Sequence, residues 1–284
     1  MTIALTGTSG KIGRKVLDRL EGAHVLVGRD AAALPAGHQH REASYGDTDA
    51  MVSALSGVDT LFFVSGRESA TRREEHYSVV DAAAEAGVAR IVYLSFLGNA
   101  ADCTFTFGRH HYFTEQRIRD AGLAFTFLQD SLYADYLPLM TDATGVIRGP
   151  AGDGRVSAVS TDDVADAAAA VLRALASGDT GHDGASYRIT GPDALSLDEV
   201  AAQIAAAAGR PVRYERETEA EAYASRAAFG APDFEVEGWV TSYQAIGANE
   251  LSVVSDDVRR LTGHPPRSFA QFLAAHPDSY AHLA

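Results

Sequence analysis

The chain has 284 residues, 46% apolar and 22% charged, an ordinary globular balance with room for one large domain or a domain and a further lobe. Its net charge of −14 and the absence of a dense Lys/Arg run argue against a nucleic-acid partner, since such binding draws on a basic surface. No apolar run reaches the roughly 18–20 residues that cross a bilayer, no basic leader precedes a signal core, and the single cysteine, Cys103, forms no intrachain disulfide, so a cytoplasmic, reducing setting is expected.

In chain order, residues 2–6 (TIALT) read as a buried strand and 13–20 carry apolar residues at helical spacing. Residues 24–27 are a second short strand, 51–55 a helix, and 58–65 (VDTLFFVS) a strongly apolar strand. A helix over 74–86 leads to a strand over 90–95 (RIVYLS), then a helix over 110–121 and a strand over 124–129. Strand alternating with helix, with apolar strands lacking polar alternation, predicts an α/β protein with a Rossmann-type, doubly wound parallel sheet. Residues 145–154 (GVIRGPAGDG) read as a Gly-rich loop, followed by a strand over 156–160 and an Ala-rich helix over 161–175. After a loop at 177–184 come a strand at 186–190 and a helix at 197–208, capped by Ser196 with Glu199 three residues on. From about residue 210 the pattern is less regular and holds Phe229, Phe234, Trp239 and Tyr243. The expected division is a nucleotide-binding domain over 1–155 and a smaller C-terminal α+β lobe over 156–284, with some of its segments returning to the sheet.

The segment from Thr6 to Gly13 carries Gly7, Gly10 and Gly13 at the spacing G-x-x-G-x-x-G, between a strand and a helix. Gly7 permits the tight turn, Gly10 lets backbone approach a pyrophosphate, and Gly13 lets the helix lie on the strand. The helix N-terminus then offers free N–H groups and a positive dipole end to phosphates. The second strand ends Val27-Gly28-Arg29, with no acid at its tip for the ribose hydroxyls. Arg29 suits a 2′-phosphate, so NADP is expected, with NAD as the alternative; Asp30 is an alternative partner for that arginine. No P-loop and no G-x-S-x-G elbow is present, which argues against an NTPase and a serine hydrolase. The close histidine sets, His38/His40 and His110/His111, lack metal-ligand spacing, so no metal is expected.

Thr6–Gly13, Tyr45-Gly46-Asp47, Ser65, Ser95 and the ending Leu261-Thr262-Gly263-His264-Pro265 resemble the NmrA-like branch of the atypical short-chain dehydrogenases/reductases. The pattern is most similar to its type 2 NAD(P)H:quinone oxidoreductases and triphenylmethane-dye reductases, over nearly the whole chain. The resemblance implies that Thr6, Gly7, Thr8, Gly10, Lys11, Ile12, Gly13 and Arg29 line the pyrophosphate and adenosine phosphate. Asp47 would lie near adenine, Val64, Ser65 and Gly66 beside the adenine-side ribose, and Ser95 and Phe96 near the nicotinamide. It implies an NAD(P)H-dependent oxidoreductase needing no flavin, with a small aromatic or quinone substrate; a homodimer is compatible with it.

One departure matters. Most members of the wider class use Tyr-x-x-x-Lys, whereas here Tyr112 is followed by Gln116, and the only lysines are Lys11 and Lys15. His111 and Thr114-Glu115 match the quinone-reductase branch. Reducing a ketone creates an alkoxide whose conjugate acid is as weak as bulk water, about 16. Reducing a quinone creates a delocalised phenolate nearer tyrosine's value of about 10, so losing the lysine penalises quinone reduction less. The catalytic candidates are His111, Tyr112 and Ser95. The substrate candidates are Phe96, Gln129, Asp130, Tyr133 and Trp239, whose aromatic rings suit a flat acceptor. The expected function is NADPH-dependent hydride transfer to a quinone-like acceptor, with a polyketide-type anthraquinone as one natural substrate class. The rival reading is a non-catalytic dinucleotide sensor that regulates a partner protein.

Overall fold

A computed structural model describes residues 1–283. The first half of the chain runs β1 (Ile3–Thr6), α1 (Lys11–Leu17), β2 (Val25–Gly28), β3 (Gln39–Glu42), α2 (Thr48–Leu55), β4 (Thr60–Val64), α3 (Arg72–Glu85), β5 (Arg90–Phe96), α4 (Thr106–Asp120) and β6 (Ala124–Asp130). It continues with β7 (Val146–Gly149), β8 (Arg155–Val156), α5 (Thr161–Ala176), β9 (Ala185–Ile189), β10 (Leu195–Ser196), α6 (Leu197–Ala208) and β11 (Arg213–Arg216). The α-helices α7 (Glu219–Arg226), α8 (Asp233–Gly247), α9 (Asp257–Thr262) and α10 (Phe269–Ala275) follow, and a 3-10 helix over Pro277–Leu283 ends the described residues. None of the described helices is long and apolar enough to cross a membrane.

The main sheet has seven strands in the order β3-β2-β1-β4-β5-β6-β9. The chain thus starts in the middle of the sheet, winds outward one way, and returns past β1 to wind the other way. The pairings from β3 across to β5 are parallel, as expected where helices connect successive strands. Along the strands, alternate residues serve opposite faces. Ala4, Val25, Val27, Leu61, Phe63, Ile91, Tyr93 and Phe127 meet Met51, Leu55, Val79, Val80 and Ile118 of α2, α3 and α4 in one buried cluster. Leu5, Leu26, Phe62, Val92 and Leu94 alternate with them and are equally buried. Arg19, two residues past α1, pairs with Asp166 of α5 at 2.5 Å.

The chain separates into two compact units. The first comprises residues 1–96, 110–129 and 164–187, and the second 97–109, 130–163 and 188–284. Most of α5 and β9 belong to the first unit, and residues 97–109 and 130–163 belong to the second, which is close to the first in length. The second unit is mainly helical after residue 210, where the sequence pattern was expected to be less regular. The stretch 145–154 is not all loop. Residues 146–149 form β7 because β11, more than sixty residues on, supplies a parallel partner. Gly149 is needed there, since a Cβ would stand 2.1 Å from the Tyr243 ring. Of the expected strand over 156–160 only Val156 lies in a strand, β8, which pairs antiparallel with β10, and Val159 makes an isolated parallel bridge to Tyr133. Helix α6 begins as expected, with the Ser196–Glu199 capping box closed, and ends on Gly209 in the left-handed conformation.

Candidate functional site

The glycine turn after β1 has the geometry its spacing predicts. Gly7 sits at φ +68°, and a Cβ there would also meet the Val64 side chain at 2.8 Å. A Cβ on Gly13 would lie 2.3 Å from the Gly7 carbonyl oxygen, so only glycine lets α1 rest on the turn. Gly10 is the N-cap of α1 and donates its N–H to Gly7, 2.9 Å. Among the described residues no side chain caps α1 and no acid occupies its first turn, so its leading N–H groups have no side-chain acceptor from a cap. The Thr8 hydroxyl is buried and has no hydrogen-bond partner among the described residues. A turn stripped of side chains, an uncapped helix start and a buried unsatisfied hydroxyl together fit a pyrophosphate. Lys11 is exposed beside them and Ile12 half-buried.

At the tip of β2, Arg29 is exposed and makes no ion pair among the described residues. Asp30 is not its partner: the carboxylate accepts from the Ala32 N–H at 2.9 Å and caps a short 3-10 turn. The Arg29 charge is felt by Tyr45, although burial, the larger effect, pushes the Tyr45 phenol well above its usual range. That hydroxyl donates to the Val64 carbonyl at 2.6 Å, and Thr6 Oγ1 accepts from the Val64 N–H at 3.0 Å, so the end of β4 is held from both sides. Asp47 caps α2 through one oxygen, accepting from Ala50 at 3.0 Å.

The loop after β4 is pinned by α3. The Gly66 N–H donates to His76 Nε2 at 2.9 Å, and its carbonyl accepts from Arg72 Nε at 2.9 Å. Ser65 in this loop is half-buried. An N–H can only donate, so His76 carries its proton on Nδ1 and gives it to Thr114 Oγ1, 2.9 Å away. Arg72 also donates from Nη2 to His111 Nε2 at 3.1 Å, which leaves the His111 proton on Nδ1, directed at the Tyr93 hydroxyl at 3.0 Å. Burial first, then the nearby Arg72 charge, holds both imidazoles well below their usual pKa, so they are neutral.

His111, expected as a proton source, lies inside this arrangement. Its ring is only 6% exposed and both nitrogens are engaged inside the unit. Ser95 is fully buried, and its hydroxyl donates to Glu115 Oε1 at 2.6 Å. Glu115 is a buried carboxylate that also accepts from Gln129 Nε2 at 2.9 Å and pairs with Arg119 at 3.1 Å. Gln129 is thus a ligand of this carboxylate. Tyr112, one residue past His111 on α4, is half-buried with its ring edge-on to Phe113. Phe96 is buried with its ring 5.8 Å from that of His111.

Phe96 and Gln129 belong to the first unit; Asp130, Tyr133 and Trp239 belong to the second. There Asp130 is buried and accepts from the Tyr133 hydroxyl at 2.6 Å. The Trp239 ring on α8 meets Phe229 edge-on at 5.9 Å, and Phe229 is 73% exposed. Sequence reasoning missed Arg72, His76 and Tyr93, and it noted Glu115 only as part of a pattern. The one available signal was Arg72 and His76 four residues apart, on one face of α3.

Residues 7–174 match the model of a family described as NAD(P)H-binding. Quinone oxidoreductase 2 of Escherichia coli is 32% identical over 95% of this chain and 96% of its own length. An NAD(P)H azoreductase of Xenophilus azovorans is 32% identical over 98% and 99%. Among solved structures, an Escherichia coli NADPH-dependent quinone oxidoreductase in complex with NADPH superimposes with a TM-score of 0.87 at 30% identity, covering 96% of this chain and 99% of that one. The chain belongs to this NAD(P)H-binding family, as an NmrA-like atypical short-chain dehydrogenase/reductase, a class of NAD(P)H-dependent oxidoreductases.

Proposed function

We propose that this protein is an NADPH-dependent reductase of a quinone-like or other conjugated aromatic acceptor, a polyketide-type quinone being one natural class. When bound, the nicotinamide cofactor supplies the hydride. The observation that carries the reading is the glycine turn with its uncapped helix start, followed at the tip of β2 by an arginine that no carboxylate neutralises among the described residues. Gly7, Thr8, Gly10, Lys11 and Ile12 would receive the pyrophosphate, and Arg29 the 2′-phosphate, by charge-assisted bonds. Asp47 would take the adenine, and Val64, Ser65 and Gly66 the adenine-side ribose. Tyr133 and Trp239, aromatic residues of the second unit, would contact a flat acceptor.

Proton supply is where the chain's own residues narrow the choice. Ser95 and His111 are committed inside the first unit, and Gln116 stands where an activating lysine would be. Tyr112 or solvent is left to protonate the product. That suits an acceptor whose reduced form is a phenolate, and it disfavours a simple ketone. Catalysis then rests on holding acceptor and nicotinamide in contact, at about 3–3.5 Å.

The test is NADPH oxidation, followed at 340 nm, against a panel of quinones and hydroxyanthraquinones, with NADH in parallel. Turnover above the uncatalysed rate is expected. Arg29→Ala should raise KM for NADPH by about tenfold or more and leave KM for NADH within a factor of two or so. Binding of NADPH without turnover on any acceptor would refute the reductase and favour a sensor.

A further inference from the structure

Arg72 is a buried cation at 4% exposure, and among the described residues it makes no ion pair. A buried charge without an opposite charge is costly, so its retention calls for a task that a neutral side chain does not perform. Its two bonds name the task. Nε holds the Gly66 carbonyl in the loop after β4, and Nη2 holds Nε2 of His111 on α4. His76, one turn further along α3, takes the N–H of the same glycine and passes its own proton to Thr114, also on α4. Both ends of Gly66 are therefore fixed by α3, and both fixing side chains continue to α4. There is little slack: a Cβ on Gly66 would lie 3.3 Å from the Tyr45 ring and 3.4 Å from His76 Nε2.

We propose that Arg72 is a positioning residue for the cofactor, its guanidinium fixing the Ser65–Gly66 loop and tying it to helix α4 through His111. This rests on the reading of that loop as the seat of the adenine-side ribose. The planar guanidinium is suited to the role because its nitrogens diverge at fixed angles, one to each element. A lysine ammonium is a single point and cannot reach both acceptors in the same geometry. The unneutralised charge adds a favourable field for an incoming dinucleotide anion. His111 is then a structural acceptor whose value lies in having no proton on Nε2.

The experiment is a fluorescence titration of NADPH onto the full chain, wild type and Arg72→Lys, with the histidines followed by NMR from pH 5 to 8. Arg72→Lys is expected to raise the Kd for NADPH by about tenfold or more, the loss of one charge-assisted bond. It is also expected to move the ring-nitrogen resonance of His111 Nε2, which reports whether that atom accepts a hydrogen bond. An unchanged Kd overturns the positioning role, and an unmoved His111 Nε2 resonance overturns the tie to α4. If Arg72→Lys does not fold, the same titration is read on His111→Leu, which removes the acceptor, and His111→Asn, which restores one. Weakened binding in the first and recovery in the second supports the proposal, and equal Kd values in both overturn it. Wild type failing to bind NADPH would sink the cofactor reading and the proposal with it. Wild type binding with Arg72→Lys unchanged sinks the proposal alone.

Discussion

Acidification should destabilise this protein through two particular histidines. His76 is fully buried and His111 nearly so, and each has one nitrogen that must stay unprotonated to accept a bond, from Gly66 and from Arg72. Burial and the Arg72 charge depress both pKa values in the fold. The unfolded chain, with histidines near 6.5, therefore takes up protons that the folded chain refuses. The stability contributed is complete above that value and is lost as pH falls below it. With both rings neutral in the fold, linkage costs about 1.4 kcal/mol per histidine at pH 5.5 and less than about 0.1 at pH 7.5. Between pH 7.5 and 5.5 the two together lose about 2.7 kcal/mol, a large part of the roughly 5–15 kcal/mol that holds a domain together. The assay is urea unfolding at pH 7.5, 6.5 and 5.5, comparing wild type with His76→Gln and His111→Asn. Each variant removes one titrating ring while keeping a carbonyl acceptor. Each should flatten the dependence of stability on pH by about 1.2 kcal/mol per unit near pH 5.5. Identical slopes in wild type and both variants would mean that these rings protonate freely in the fold, and the hydrogen-bond assignment would be wrong.

Two further outcomes follow from the geometry. Gly13→Ala places a methyl 2.3 Å from the Gly7 carbonyl oxygen, so the turn must open; a loss of about 1–3 kcal/mol in urea unfolding and of NADPH binding by fluorescence is expected. Glu115→Ala strands the Ser95 hydroxyl and the Gln129 amide in a buried setting, which should cost about 2–4 kcal/mol in the same unfolding assay, and Glu115→Gln should recover part of it because its carbonyl still accepts.

The strands, their helices and the nucleotide turn were legible in the sequence because they are local. A run such as Leu61–Phe63 has one way to be buried, and the spacing of Gly7, Gly10 and Gly13 states a backbone path that side chains would block. The start of α6 was legible for the same reason, since Ser196 and Glu199 satisfy each other within one turn. The edge strand β3 has the polar sequence QHRE and shows no apolar pattern, so its limits are set only by pairing with β2. Strand β7 exists because β11 lies beside it, a partner no window around residue 146 contains. The proton locations are decided the same way. Sequence presents Ser95, His111 and Tyr112 as equal candidates, but only the folded chain brings Glu115 to Ser95 and Arg72 to His111. A hydroxyl or imidazole is catalytic or structural according to what meets its protons, and that is a property of tertiary packing.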